Sequence, residues 1–231
     1  MRDPLATRLI KAIATPMRLH IVRHGQTDWN ALQRVQGQLD SQLDETGIAQ
    51  AIERGRDFRK DQFIAVYSSS SLRTRQTSHH LLEGRTKDIV LLDELREVKL
   101  GEWEGQYWQD IEKNDPEMVE AHANASESFN IPGAEKMRET QARGVEAMEK
   151  IVNTHLEDPA DCEILVVSHG AIMKTILAHY IGVPLTELRY LPSLPNCAHC
   201  IIEANTNHRH VKLIAGIATV DTPWQRFLKS D

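Results

Sequence analysis

The sequence predicts a three-layer α/β/α sandwich, in which helices cover both faces of a mostly parallel central sheet. Short apolar runs that indicate strands alternate with helix-like segments along most of the chain. The strongest run, EILVVS at 163–168, lacks the polar alternation of a half-exposed strand and is typical of a strand buried on both faces. The 231 residues contain no linker, low-complexity tract or internal repeat, so we expect a single domain.

The first half of the chain is predicted to contain three strands and two main helices. Apolar runs bounded by polar residues indicate strands, whereas apolar residues three or four positions apart indicate helices. In chain order we expect a strand at 17–23, a helix ending near residue 60, a strand at 64–68, a helix at 74–82 and a strand at 89–92.

The second half begins with an irregular stretch and then becomes regular again. We expect residues 101–135 to form a lid inserted over the sheet, in which Asp115-Pro116 marks a helix start. The later elements are a long helix with an apolar stripe at 137–156, a strand at 163–168, a helix at 170–181 that stops at Gly182, and a hairpin of 199–204 with 211–216.

The predicted domain covers residues 17–217. Residues 1–16 form an N-terminal extension, either disordered or a short helix, and Met17 is an alternative start site; residues 218–231 form a C-terminal tail. No run of 18 apolar residues is present, so we expect no membrane span, and three cysteines suit a reducing, cytoplasmic setting. The Cys197–Cys200 pair is expected to be small buried residues rather than a metal or redox site.

The charge balance bears on the partners. There are 27 Lys and Arg against 33 Asp and Glu, a formal net charge of −6. Nucleic acids bind to basic protein surfaces, and this chain is acidic, so we expect no nucleic-acid partner. An anionic ligand would require cations gathered locally. Oligomeric state is left open by the sequence.

Such a local cluster is predicted at the carboxyl ends of the strands, where open α/β sheets bind ligands. Arg23-His24 follows the first strand, Arg73 the second, Glu97 the third and His169-Gly170 the fourth. Two guanidinium groups match phosphate oxygens, and a helix beginning after His169 would add backbone N–H donors. A neutral imidazole can attack phosphorus, and a carboxylic acid can protonate the leaving oxygen. Taken singly, each residue is more often structural; their joint placement favours a phosphate monoester site.

The same residues carry a resemblance to the histidine phosphatase superfamily, the phosphoglycerate mutase-like group. RHGQTDWN at 23–30 resembles the family's Arg-His-Gly-x-Thr/Ser-x-x-Asn opening, and QGQLDSQLDETGIAQA at 36–51 resembles its second motif. The segments SSSLRTRQT at 69–77, LREVKLGEWEG at 95–105 and VVSHGAIMK at 166–174 continue the match. The resemblance spans about residues 17–205.

The resemblance implies a role for each matching position. His24 would be the nucleophile that becomes phosphohistidine, Glu97 the proton donor, and Arg23, Arg73 and His169 the phosphate-binding set. Asn30 would form a hydrogen bond with the phosphoryl group. Gln36 and Gly37 would line the pocket mouth, and Gly170 would contribute to phosphate binding. Aligning on Gln76-Thr77 favours Arg73 over Arg75 as the phosphate ligand. The family needs no metal, because arginines and histidines neutralise the phosphate, and we expect no cofactor for this chain.

The sequence departs from the family pattern in three places. Ser71 replaces a usual Leu, Gln42 replaces a usual Pro, and GAEK at 133–136 replaces a common Gly-Gly-Glu-Ser. None of these touches the proposed chemical residues. The last departure nevertheless puts substrate contacts there in doubt.

We therefore expect a metal-independent phosphomonoester hydrolase of the histidine acid phosphatase type, acting on a small phosphorylated metabolite. The alternatives are a phosphoglycerate mutase using the same residues, or a catalytically silent phospho-ligand binding protein. The acidic segment 106–135 is expected to repel substrates with several phosphates, which favours the phosphatase. A metal hydrolase is disfavoured because ligand spacing for a metal is absent.

Overall fold

The computed structural model describes residues 16–58, 62–83, 88–159 and 161–219. The predicted extension at 1–16 and tail at 218–231 lie outside the described residues, apart from Pro16, Ala218 and Thr219. Among the helices of these ranges, none combines the length and apolar composition needed to cross a bilayer.

A seven-stranded sheet forms the middle layer. Its strands are β1 (Met17–Arg23), β2 (Phe63–Ser69), β3 (Ile89–Leu92), β4 (Glu163–Ser168), β5 (His199–Ala204), β6 (Arg209–Ile214) and β7 (Ile217–Ala218). The order across the sheet is β3-β2-β4-β1-β5-β6-β7. The first four strands in that order are parallel, whereas β5 pairs antiparallel with β1 and continues into the predicted hairpin. The α/β sandwich predicted from the sequence is confirmed.

The helices of the described residues cover both faces of the sheet. They are α1 (Asp28–Ala31), α2 (Glu45–Arg56), α3 (Leu72–Leu81), α4 (Trp108–Asn114), α5 (Pro116–Ala123), α6 (Met137–Thr154) and α7 (Gly170–Ile181). Helix α2 ends four residues earlier than expected, and α3 begins two residues earlier. Gly182 ends α7 in the left-handed conformation (φ 76°), as the sequence predicted.

Alternate residues of the central strands feed two separate cores. Leu19, Ile21 and Ile164 point to the face covered by α6 and α7. Val22 and Leu165 point to the opposite face, where the C-terminal end of α3 packs. This alternation explains why β4 is buried at all six positions and why its sequence shows no polar residue between Ile164 and Val167.

The lid region is more ordered than expected. Residues 101–135 contain α4, α5 and a short 3₁₀ helix, and they pack around the fully buried Trp103. Helix α5 begins at Pro116, as the Asp115-Pro116 pair predicts. Asp115 makes no side-chain capping bond; its Oδ2 accepts a hydrogen bond from Trp103 Nε1 at 3.2 Å. Burial of this indole N–H beside an acceptor explains the order of a segment whose sequence has no clean period.

The three cysteines are free and buried. Burial raises the pKa of Cys197 and of Cys200 to about 12. Both thiols are therefore protonated at neutral pH and lack the nucleophilic thiolate that redox chemistry needs. This agrees with the expectation that they are small buried residues beside a strand.

Candidate active site

Two neighbouring strands bring the two histidines together. Arg23 lies opposite Ser168 in the β1–β4 ladder, so His24 and His169 follow adjacent parallel strands at the same edge. The backbone N–H of His24 donates to the carbonyl of Ser168 at 3.0 Å. The two imidazole centroids lie 5.3 Å apart with the rings inclined by 64°. The parallel register alone thus creates a histidine pair from residues distant in sequence.

The His24 ring is held as a neutral base. Its Nδ1 lies 2.7 Å from the carbonyl oxygen of Gly25 and donates to it, which leaves the lone pair on Nε2. The ring is 3% exposed. Burial, reinforced by the nearby charges of Arg73 and Arg23, holds the pKa of His24 well below its usual value. An unprotonated nitrogen is what nucleophilic attack requires.

The backbone around His24 is fixed from two sides. Gly25 N–H donates to Thr77 Oγ1 at 3.0 Å. The His24 carbonyl accepts from Asn196 Nδ2 at 3.1 Å and from Cys197 N–H at 3.2 Å. We did not predict a role for Asn196, because nothing in its local sequence distinguishes it from a loop asparagine.

Arg23 has a donor without a protein partner. Its Nη1 donates to the carbonyl of Leu194, whereas its buried Nε has no hydrogen-bond partner among the described residues. Gly170 lies against this guanidinium: a Cβ at that position would stand 3.3 Å from Nε. A buried N–H without an acceptor is costly, so Arg23 offers a ready donor to an anion.

Arg73 donates from each of its three nitrogens to a protein acceptor, which uses three of its five N–H groups. It is 1% exposed, and it donates through Nε to His169 Nδ1 (3.1 Å), through Nη2 to Gly37 (2.8 Å) and through Nη1 to Leu39 (2.9 Å). Burial lowers its pKa to about 10, and Glu97 opposes that shift. Arg75, the alternative ligand, is exposed on the other side of α3. Of these two arginines, it is Arg73 that lines the cavity.

His169 lies beside His24 but has both ring nitrogens occupied. Nδ1 accepts from Arg73, so the ring proton resides on Nε2 and points to Ser69 Oγ at 2.8 Å. Burial and the adjacent Arg73 hold the pKa of His169 well below its usual value. In this arrangement His169 orients Arg73 and has no free N–H for a phosphate, which differs from the direct contact that the resemblance implies.

Glu97 binds the N-terminus of α7. Its Oε1 accepts from the backbone N–H groups of Val98 (2.9 Å) and Ile172 (3.0 Å), and its Oε2 accepts from Ala171 (3.0 Å). We expected those helix N–H groups to face a phosphate. They instead fix the orientation of the carboxylate, because a helix N-terminus attracts negative charge.

Arg143 of α6 holds the segment that carries Glu97. It donates to the backbone carbonyls of Glu94 (2.8 Å), Arg96 (2.6 Å) and Glu97 (2.9 Å), and it forms an ion pair with Glu135 at 2.5 Å. We did not predict this role. Glu135 is the glutamate that the GAEK segment shares with the family's Gly-Gly-Glu-Ser, so the ion pair uses a position at which the two patterns agree.

The remaining predicted residues line one cavity together with His24, Arg73 and Glu97. They are Asn30, Gln36 and Gly37. Asn30 Oδ1 accepts from Thr27 N–H at 3.2 Å and from Asn196 Nδ2 at 3.3 Å, so the oxygen is already paired. Gly37 adopts φ +51°, and a Cβ there would overlap the Glu104 carboxylate. Glycine is thus required for the carbonyl that Arg73 binds.

The cavity holds about 190 Å³ and is roofed partly by the lid. The lid contributes Trp108 and His122 to its wall, and Arg34 adds a further cation at the mouth. An adjoining cavity of about 400 Å³ shares Arg23 and Glu97 with it and adds two more cations, Lys174 and Arg189.

The lid acids do not line either cavity. They are Asp110, Glu112, Asp115, Glu117, Glu120 and Glu127. Asp115 binds Trp103, and Glu127 pairs with Arg138 at 2.9 Å. The expected repulsion of polyanionic substrates by these acids is therefore corrected: the charged residues that line the two cavities are mainly cationic.

Comparison with known proteins identifies the family. Residues 19–216 match the model of the histidine phosphatase superfamily (branch 1). The chain belongs to this superfamily. A metal-independent phosphoserine phosphatase of Arabidopsis thaliana is 32% identical over 161 residues, which cover 68% of this chain and 65% of the relative, slightly under two thirds of its length. A probable phosphoglycerate mutase GpmB of Yersinia pestis is 32% identical over 182 residues, 79% of this chain and 82% of the relative.

Solved structures of this superfamily share the fold. YhfR of Bacillus stearothermophilus superposes with a TM-score of 0.80 at 32% identity, covering 88% of this chain and 98% of that one. A mycobacterial glucosyl-3-phosphoglycerate phosphatase in complex with VO3 gives a TM-score of 0.77 at 25% identity, covering 87% of this chain and all of that one. Membership in the histidine phosphatase superfamily thus rests on sequence and structure independently.

Proposed function

We propose that the chain is a metal-independent phosphomonoesterase that hydrolyses a small phosphate monoester through a phosphohistidine at His24. One observation carries the proposal. The neutral His24 ring donates from Nδ1 to Gly25 and keeps its Nε2 lone pair, beside Arg23, whose buried Nε has no acceptor among the described residues. The similarity to a phosphoserine phosphatase and to a glucosyl-3-phosphoglycerate phosphatase supports the same reaction class.

The proposed reaction has two steps. The cycle starts with Glu97 protonated: His24 Nε2 attacks phosphorus, the bond from phosphorus to the ester oxygen breaks, and the Glu97 carboxyl group transfers its proton to the leaving alcohol. Water then attacks the phosphohistidine, Glu97 takes its proton, and inorganic phosphate leaves with His24 restored. Arg23 and the charge of Arg73 stabilise the negative charge on the transferring group.

A phosphoglycerate mutase is the second candidate. In that reaction the same phosphohistidine returns its phosphoryl group to a substrate hydroxyl instead of water. Two observations favour the mutase as an alternative. One is the similarity to the probable mutase from Yersinia pestis, and the other is the set of cations, Arg34, Lys174 and Arg189, that line the two adjoining cavities. The acidic lid no longer argues against it.

The test compares p-nitrophenyl phosphate hydrolysis with phosphoglycerate isomerisation, for the native chain and for His24→Ala. We expect hydrolysis to dominate and the substitution to lower kcat by roughly 10³-fold or more, since it removes the nucleophile. Substrate labelled at phosphorus should leave protein-bound label that survives base and is lost in acid. His79→Ala, on the exposed side of α3, is the matched control.

Each other outcome has a definite meaning. Dominant isomerisation identifies the mutase. Binding of phosphate esters without turnover of a broad substrate panel identifies a silent binding protein. Undiminished turnover by His24→Ala contradicts the assigned nucleophile.

A further inference from the structure

The lid places a histidine in the wall of the reaction cavity that the proposed mechanism does not use. We propose that His122 donates a hydrogen bond to an oxygen of the leaving alcohol and thereby selects phosphate esters whose alcohol carries an acceptor oxygen near the ester. The inference rests on the proposed function and specifies the substrate class of the same site.

The position of the His122 ring is set by the lid core. The ring lies near the end of α5, with its centroid 4.9 Å from that of Phe129 and 6.0 Å from that of Trp103. Trp103 is in turn anchored through its indole N–H to Asp115. These aromatic contacts hold one side of the imidazole in the lid, while the residue lines the cavity shared with His24 and Glu97.

The His122 ring is neutral. Burial lowers its pKa to about 4, although the nearby Glu97 charge acts in the opposite direction. Above about pH 5 the ring therefore carries one N–H and one lone pair. It cannot supply a positive charge to the phosphate, and its contribution must come from a neutral hydrogen bond.

Hydrogen-bond accounting indicates which nitrogen carries the proton. Nδ1 is buried and has no partner within the described ranges of the chain. Orphaned buried N–H groups are rarer in proteins than under-satisfied acceptors, which places the lone pair on Nδ1 and the proton on Nε2. Nε2 then carries the only N–H of the ring, and because His122 lines the cavity, an acceptor atom on a bound molecule can take the place of water at that donor.

The surrounding wall narrows the chemistry of that molecule. Near His122 the cavity is lined by Val98, Leu100 and Trp108, which are largely apolar. An alcohol with a compact carbon body and one oxygen close to the ester would satisfy both the apolar wall and the single donor. Polyol and hydroxy-acid phosphates have that arrangement, whereas simple aryl phosphates lack the second oxygen.

The experiment compares glycerol 3-phosphate with phenyl phosphate in three variants. His122→Phe fits the aromatic cluster but removes the donor, and we expect kcat/KM for glycerol 3-phosphate to fall about 10-fold while phenyl phosphate changes less than about 2-fold. His122→Gln, whose amide reaches a similar position, should retain most of the native kcat/KM for glycerol 3-phosphate. His79→Phe, at an exposed site outside the cavity, should change neither substrate.

Two kinetic results would overturn the proposal. If His122→Phe lowers kcat/KM equally for both substrates, the ring has a purely structural role in the lid. No loss for either substrate shows that the ring does not contact the leaving group.

A binding measurement separates this proposal from the proposed function. In a His24→Ala background, calorimetry of glycerol 3-phosphate and of inorganic phosphate requires no turnover. We expect the added His122→Phe change to raise the Kd for glycerol 3-phosphate about 10-fold and to leave the Kd for inorganic phosphate almost unchanged. Parallel weakening of both, or none, rejects the role of His122 even if the chain proves to be a phosphatase.

Discussion

The two arginines of the site use their donors differently. Each nitrogen of Arg73 donates one N–H to a protein acceptor, so Arg73 contributes fixed charge and holds His169 and the Gly37 loop in place. Arg23 donates through Nη1 to Leu194, and its buried Nε has no partner among the described residues. At the scale of single residues, the Nε of Arg23 is therefore the nitrogen whose pairing is left to a substrate phosphate, while Arg73 keeps a second N–H on each of its two Nη atoms.

Replacing Arg23 by lysine tests that division. Lysine keeps the charge but loses the planar fork and the buried Nε donor, so we expect kcat/KM for p-nitrophenyl phosphate to fall roughly 10- to 100-fold. Arg75→Lys, at the exposed position on α3, is the matched control and should be neutral. Near-normal turnover of Arg23→Lys would count against a directional role of the guanidinium.

At the scale of elements, the site depends on how α6 and α7 hold the segment that follows β3. Glu97 binds the first turn of α7 through its carboxylate, and Arg143 of α6 binds three carbonyls of the same segment. A segment without regular hydrogen bonding is thereby tied to two helices, which fixes the carboxylate within the cavity wall.

Replacing Arg143 by methionine should loosen that segment. Three backbone carbonyls lose their donor and Glu135 loses its partner, so we expect a fall of about 2 kcal/mol or more in the free energy of unfolding and a larger than 10-fold loss of kcat. Urea unfolding and phosphatase kinetics measure the two effects. Arg138→Met, which breaks only the exposed pair with Glu127, is the control. Native kcat in Arg143→Met would show that Glu97 is positioned without it.

The sequence predicted elements better than supporting contacts. The strands and the helix after His169 were predictable because the spacing of apolar residues and a glycine at a helix end are local signals in the sequence. Arg143 and Asn196 were not, since their partners are backbone carbonyls distant in the chain. The sequence could not predict that the lid acids lie outside the cavities either, because composition gives the charge of a segment but not the side of the segment on which the charge lies.

At the scale of the whole molecule, a second histidine pair links β1 and β5 away from the cavity. His20 Nδ1 lies 3.0 Å from His199 Nε2, and the rings stack with centroids 5.1 Å apart. Phe58 and Phe63 pack edge-on around them. Burial lowers the pKa of His199 to about 3 and also lowers that of His20, so both rings are neutral in the folded chain.

This pair should make folding sensitive to acid. Below pH 6.5 the unfolded chain binds protons at these histidines while the folded chain does not, so stability falls as the pH drops toward 3. We expect His199→Phe, which keeps an aromatic ring beside Phe58, to reduce the loss of unfolding free energy between pH 7 and pH 5 by about 2 kcal/mol. Urea unfolding at both pH values measures it, with His210→Phe at an exposed position as the control. His24 and His169 also have lowered pKa values, so the native chain and His199→Phe will both lose some stability in acid. Only the difference in that loss between the two proteins reports on His199. Identical pH dependence in the native chain and His199→Phe would contradict the assignment.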